Sequence, residues 1–569
     1  MESVQHYITE GILYEPTVPN IYNWPIARLF RSKDRFLKEV IDETMEAVAQ
    51  FAQRQNSSIE QLVAKTMYRE RIRMKEDPWK VDPKDEIKFW RNIKKKLVAI
   101  DRIENDPTAY EKDVHNLLYS IVSRYANEIV STFKPGTYQF AKRFLPFFFS
   151  TLLNASAGKT IRSIISHKVK MQERIHLMGE TDMLRELSRI GTVVVVPTHL
   201  SNLDSILVGW SLSALGLPAF TYGAGLNLYN NKILARFMTR LGAYTVDRRK
   251  RNPIYRSTLD SYATRATIEG VNHIFFPGGT RSRSGEIEKN LKQGLLSTVI
   301  EAQRQNFAGE PRAQSEKIFI VPLVMSYHFT LEAKSLINQY LNRTGQEQYY
   351  TLDKESSDLV KIFQFIWTTF SKSSDIYLSY GKPMDVFGNF VDQEGNSIDR
   401  NGNTIEIKEY FMSNGELTKD HQRDDQYTKM LADKIVERYH AENYVFSSHL
   451  VAFVAFQMFK KNRKDLNLYS LLRLPEEERY LEVAPFLACI EAVHNRLKEL
   501  NQEEKVNLPS HLRNEPSTIM EHGLKNLGLY HTKRVLKLTK DGRLFTDNMN
   551  ILYYYHNRLV GYELESLVK

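Results

Sequence analysis

From Gly191 onward the chain alternates short apolar runs with segments of helical spacing. The runs are "TVVVVP", "LPAFTYGA", "HIFFPG", "KIFIVPLVMSY" and "DIYLSYG". Between them, helices are predicted to begin near Leu203, Asn230, Pro253 and Lys289. Few folds accommodate that order. Strands alternating with helices predict an α/β domain with a largely parallel or mixed sheet. The run ending in Pro197 has no polar alternation, so it reads as a strand buried on both faces.

The rest of the 569 residues is arranged around that domain. Residues 1–160 carry long polar–apolar periodic segments and are predicted to be helical. The α/β domain takes 161–390. A turn-rich connector follows over 391–423, dense in Gly, Asn and Asp. Residues 424–569 are mainly helical, with a hairpin at 535–546 around Asp541-Gly542. Asp399, Asn401 and Asn403 in the connector superficially match a calcium loop. Thr404 and Tyr410 stand where such a loop needs Gly and Glu, which argues against calcium.

The single cysteine, Cys489, excludes an intrachain disulfide framework and a multi-cysteine metal site, and it fits a reducing compartment. The N-terminus shows no signal-peptide pattern. The uncharged run from Ser205 to Asn227 is long enough to span a bilayer, but Gly216, Pro218, Gly223 and Gly225 break it. It reads as helix, turn and strand. Phe144–Leu153 is too short to span; it fits an interface or a core. The net charge of +10 attracts anions, although most basic residues are interleaved with acids. No nucleic-acid recognition motif is present.

Three stretches carry chemistry, and each follows an apolar strand. The first is His199 with Asp204, just past the buried valine strand. In open α/β sheets that end is where ligands bind. Ser201 or Asn202 can cap the next helix, putting Asp204 in its first turn. A carboxylate on one imidazole nitrogen fixes the tautomer and leaves the other as a base. A histidine that merely caps the helix fits the spacing equally well. The second stretch is "RLGAYTVDRRK", which delivers Asp247, Arg248 and Arg249 to a strand end; it suits either phosphate or an ordinary surface ion cluster. Before it, Ile233, Leu234, Phe237, Met238 and Leu241 share one helical face. Lys232, Arg236 and Arg240 form an adjacent basic row. That helix suits a membrane interface or a core face. The third stretch is "HIFFPGGTRSRSGE". Gly278 and Gly279 let backbone amides approach an anion, and Thr280, Arg281, Ser282 and Arg283 follow at the same strand end. The Gly-x4-Gly-Lys spacing of a P-loop is absent.

In this order these residues resemble the glycerolipid acyltransferase superfamily. The matching blocks are His199 to Asp204, Gly242 to Arg248, "FPGGTRS" from Phe276 to Ser282, and "IVPL" around Pro322. "GAGLNL", "SYGKP" and "NILYYYHNRL" further resemble the long glycerol-3-phosphate acyltransferase branch. One position departs: the family usually has Glu where this chain has Gly278. The soluble plastid enzymes of the family also lack that Glu, and place closely spaced arginines after paired glycines.

The resemblance implies acyl transfer from acyl-CoA or acyl-carrier protein to the sn-1 hydroxyl of glycerol-3-phosphate. His199 would be the base and Asp204 its orienter. Arg248, Arg281 and Arg283 would hold the phosphate. Gly278, Gly279, Thr280, Ser282 and Pro322 would shape the site. No metal or other cofactor is implied. The remaining alternatives are lysophosphatidate or dihydroxyacetone phosphate as acceptor, or a non-catalytic protein that binds anionic lipid. The expected location is the cytoplasmic face of a membrane, against an anionic surface, with peripheral or monotopic attachment.

Overall fold

A computed structural model describes residues 14–79, 81–100, 107–142, 175–229, 232–309, 316–345, 375–529, 531 and 533–569. Its centre is a seven-stranded sheet: β1 (Ile175–Gly179), β2 (Thr192–Pro197), β3 (Thr221–Gly225), β4 (Ala243–Val246), β5 (His273–Ile274), β6 (Ile318–Tyr327) and β7 (Ile376–Tyr380). The spatial order is β1-β7-β6-β2-β5-β3-β4. Five neighbouring strands run parallel, and β7 with its parallel partner β1 runs against them. The sheet is therefore mixed, as the sequence predicts. Every residue of β2 and β6 is buried, which is why both read as unbroken apolar runs. Strand β1 was not anticipated from the sequence. It lies at the sheet edge, with a half-exposed burial pattern.

The run from Ser205 to Asn227 folds within the sheet domain. Its helix, Asp204–Ala214, stops before Gly216 at φ +72°, and the chain returns as β3. Among the described residues no helix is long and apolar enough to cross a membrane. The run Phe144–Leu153 lies outside the described residues.

Helices flank the sheet on both sides of the sequence. Lys33–Arg54, Ile59–Glu76, Glu86–Ile100 and Pro107–Ile129 share an apolar core with the Pro253–Ile268 helix. The C-terminal helices join the main core of the sheet, through residues such as Phe453, Ile490, Leu552 and Leu559. The hairpin pairs Lys537–Leu538 with Arg543–Phe545, and Gly542 sits at φ +82°.

The connector holds small antiparallel strands over Phe390–Ile405 and a further pair at Met412–Leu417. Its turns repeat one device. Asp385, Asp392 and Asp399 each accept the backbone N–H of the Asn four residues on, at 3.0, 2.7 and 2.8 Å. Asp399 also takes Asn401 N–H and Asn403 Nδ2, so the carboxylate that resembled a calcium ligand holds its own turn.

Candidate active site

The parallel strands end on one edge, and the three sequence stretches meet there. After β2, Thr198 N–H still bonds Leu323 O at 2.9 Å, and His199 is the first residue free of the sheet. Its Nδ1 lies 2.9 Å from Asp204 Oδ2. That carboxylate also accepts Leu200 N–H at 2.6 Å and Ser201 N–H at 2.9 Å. Oδ1 accepts the Tyr327 hydroxyl at 2.5 Å. Asp204 is wholly buried, while the His199 side chain keeps 20% exposure. An acceptor-only carboxylate on Nδ1 makes that nitrogen the N–H, and leaves Nε2 as the acceptor. Burial presses on Tyr327 as well: its phenol is pushed well above the ordinary tyrosine range by desolvation, then by the Asp204 charge.

Neither Ser201 nor Asn202 caps the following helix, contrary to expectation. Ser201 Oγ instead donates to Glu332 Oε2 at 3.0 Å, and Asn202 N–H donates to Glu332 Oε1 at 3.0 Å. Asp204 opens the helix while holding the loop before it. A cap stabilises a helix; this carboxylate stabilises the histidine loop.

The glycine stretch clamps the same loop. Ser282 N–H donates to His199 O at 2.7 Å, and Phe276 packs its ring 4.6 Å from the imidazole. Gly279 needs φ +72°, and a Cβ there would meet the Lys292 Cδ at 2.6 Å. Lys292 N–H bonds Pro277 O at 2.8 Å, so residues 288–292 fold back along the glycines. This corrects the helix expected from Lys289: it begins at Gly294, after that anchor. Thr280 lies in the wall of the neighbouring cavity. Pro322 is paired with Val196 inside the sheet, three residues before the level of His199.

The arginines separate by partner. Arg249 is tied to Asp247 at 2.8 Å and to Asp82 at 2.5 Å, and Lys250 is tied to Glu128. Both anchor the loop after β4 to the N-terminal helices. Arg248 has no ion-pair partner among the described residues. Arg283 Nε donates to Gln339 Oε1 at 3.2 Å, and Arg281 Nη1 lies 3.4 Å from Glu332 Oε1. The Lys292 ammonium is held below the ordinary lysine range by burial, then by Arg248, Arg283, Arg251 and Arg343. Those four arginines lie within electrostatic reach of Lys292. Arg281 faces the acid that braces the histidine loop. A cavity of about 500 Å³ beside the cluster is lined by Thr280, Arg283, Glu288, Tyr340 and Arg343. His199 is not part of that wall; Glu288 touches both.

Lys292, Arg343, Glu288, Glu332 and Tyr327 were missed by sequence reasoning. Glu288 and Lys292 follow the glycines closely enough to be found; Tyr327, Glu332 and Arg343 come from more distant segments with no local signal.

Three histidines elsewhere could face an ion. One nitrogen each of His328, His511 and His522 lies within 4.8 Å of the others. They stand at the N-terminus of the Ser447–Asn462 helix, where His511 caps a backbone N–H and the other two bond serine hydroxyls. His511 Nε2 accepts Ser447 N–H at 3.3 Å, and His449 beside them accepts Phe446 N–H at 3.2 Å. The Ser447 and Ser448 hydroxyls bond His522 and His328. Burial lowers the pKa of all four. A helix N-terminus disfavours a cation, so capping and these hydroxyl bonds account for the cluster.

Residues 174–326 match the family model described as "Acyltransferase". The chain is 27% identical over 290 residues to a Caenorhabditis elegans protein described as "Probable glycerol-3-phosphate acyltransferase, mitochondrial". That match covers 48% of this chain and 37% of the worm protein. A glycerol-3-phosphate acyltransferase of Pseudomonas aeruginosa is 25% identical over 287 residues, covering 50% of this chain and 31% of its own. One of Pseudomonas fluorescens is 24% identical over 298 residues, covering 52% and 30%. The chain carries an acyltransferase domain, and the relatives it resembles are named glycerol-3-phosphate acyltransferases. It spans about a third of the length of the curated relatives it matches.

Proposed function

We propose that the chain is a glycerol-3-phosphate acyltransferase, using acyl-CoA or acyl-carrier protein as donor. The observation that carries this reading is the His199–Asp204 pair standing at the same sheet edge as Arg248, Arg283 and Lys292. A base and a set of phosphate-seeking cations at one edge suit an acceptor with a hydroxyl and a phosphate. The relatives' names favour glycerol-3-phosphate among such acceptors.

In this mechanism His199 Nε2 takes the proton of the sn-1 hydroxyl as its oxygen attacks the thioester carbonyl. The new C–O bond forms, the C–S bond breaks, and the imidazolium returns its proton to the departing thiolate. Asp204 fixes the tautomer and balances the imidazolium charge. General-base catalysis of this kind is typically worth ~10²–10⁴-fold. Arg248, Arg283 and Lys292 hold the phosphate, and Arg281 supports them from its place against Glu332.

The test is thiol release by the purified chain with acyl-CoA or acyl-carrier protein. Glycerol-3-phosphate, lysophosphatidate and dihydroxyacetone phosphate compete as acceptors, with His199→Ala as control. Faster turnover of lysophosphatidate would overturn the acceptor assignment. Turnover by His199→Ala would overturn the mechanism.

The same reading puts the protein peripherally on the cytoplasmic face of an anionic membrane. In its support, the Lys232–Arg240 helix has no buried residue, Ile233 is 82% exposed, and the helix carries its basic row. High salt or alkaline carbonate should release the protein; a need for detergent under both conditions would contradict peripheral attachment.

A further inference from the structure

Glycine 278 has a specific neighbour. A Cβ built there would lie 3.1 Å from Glu288 Cγ and 3.2 Å from Glu288 Oε1. The first distance is tighter than ordinary packing, so a side chain at 278 and the glutamate at 288 compete for one space. Gly278 is not held in a left-handed conformation, so the backbone itself would accept another residue. What crowds a side chain at 278 is the side chain ten residues downstream.

That side chain is placed for work. Glu288 Oε1 accepts the backbone N–H of His199 at 2.8 Å. With Ser282 N–H on His199 O, the glutamate fixes both sides of the base's own peptide units. Glu288 as a whole retains some exposure, but Oε2 is shut off from solvent and has no hydrogen-bond partner. Burial pushes the carboxyl up, and the His199 N–H, Arg558 and His199 pull against it. An unpartnered, sealed carboxylate oxygen costs stability.

We propose that Glu288 is a positioning residue for the base: it supplies from position 288 the carboxylate that the motif's position 278 lacks, and it holds His199 through its backbone N–H. Positions 278 and 288 are then one carboxylate site written at two places in the sequence. The proposal rests on the reading of His199 as the base.

An exchange of the two side chains tests it. Glu288→Gly should lower kcat about 10- to 100-fold, with KM for donor and acceptor changed less than about threefold. Gly278→Glu alone should be at least as damaging, because two carboxylates meet in one space. The double variant Gly278→Glu/Glu288→Gly should recover to within about tenfold of wild type. Glu288→Gln should stay within about tenfold, since an amide oxygen accepts the same N–H. The thermal midpoint of Glu288→Gln should not fall, because a buried charge is removed. Additive losses in the double variant would overturn the proposal, as would loss of kcat and stability together in Glu288→Gln. A second arm needs no turnover: Gly278→Ala should lower the midpoint in the wild-type background and not in Glu288→Gly. Equal effects in both backgrounds would overturn the exchange. A wild-type chain that acylates no acceptor would defeat the functional reading and leave this arm standing.

Discussion

Removing either member of the His199–Asp204 pair should stop turnover, but only one removal should damage the fold. Asp204 accepts four hydrogen bonds: from His199 Nδ1, Leu200 N–H, Ser201 N–H and the Tyr327 hydroxyl. The last three donors are buried, with Leu200 at 5%, Ser201 at 2% and Tyr327 at 5% exposure. Asp204→Ala strands the two backbone donors and leaves the Tyr327 hydroxyl only the Met325 sulfur, at 3.5 Å; an unsatisfied buried donor costs ~1–3 kcal/mol, so the loss should be roughly 2–6 kcal/mol. His199→Ala leaves those three bonds in place and removes a partly exposed ring, for about 1 kcal/mol. Asp204→Asn lies between. Its amide oxygen can keep the two backbone N–H groups, and its NH₂ can face the Tyr327 oxygen. It gives up the charge that balances an imidazolium, so turnover should fall by at least ~10²-fold. The assay pairs thiol release with urea denaturation of each variant. The reasoning is refuted if Asp204→Ala and His199→Ala lose equal stability, or if Asp204→Asn turns over normally.

Lys292→Met should raise the KM of a phosphate-bearing acceptor and leave the donor KM unchanged. It should also slightly stabilise the unliganded protein at neutral pH, because the folded state depresses this ammonium. The sign follows: the charged lysine costs stability below its folded pKa, and that cost fades as pH rises towards the unfolded value. Thermal midpoints measured between pH 7 and 10 should therefore converge with wild type; the gain is small because the group is largely solvated. Gly285→Ala should destabilise strongly, since Gly285 sits at φ +85° and a Cβ there would run into the Tyr554 carbonyl. Gly542→Ala has a similar φ of +82° and open space around it, so it should show only the backbone cost, ~1–2 kcal/mol. Equal midpoints for the two alanine variants would contradict this.

The parallel strands were legible because burial on both faces leaves an unbroken apolar run, as in β2 and β6. Edge strand β1 gave no such run and was missed. The helix start at Lys289 failed for a tertiary reason: Lys292 N–H is committed to Pro277 O, so the helix waits until Gly294. The connector's Asp-x-x-Gly-Asn units at 385, 392 and 399 repeat every seven residues. That signal was present in the sequence and was read only as turn-rich composition. Arg248 and Arg249 look alike locally. What separates them is Asp82, 167 residues from Arg249 in sequence, and no local pattern carries that.

The distribution of charge at the sheet edge divides the chemistry. Three carboxylates stand on the histidine loop: Asp204 on the ring and two backbone amides, Glu288 on the His199 amide, and Glu332 on Ser201 and Asn202. The cations Arg248, Arg251, Arg283, Lys292 and Arg343 gather in other loops and near the cavity. Acids therefore fix the group that would move a proton, and bases gather where a phosphate would bind. The C-terminal segment joins the two sets. Asn557 Nδ2 donates to Ser284 O at 2.8 Å, and Arg558 Nη2 donates to Met325 O at 2.9 Å. One contact braces the arginine loop and the other braces the strand that presents Tyr327. The "YYYHNRL" stretch, far from His199 and the glycine stretch in sequence, thus ties the loop of Arg283 to the strand that carries Tyr327.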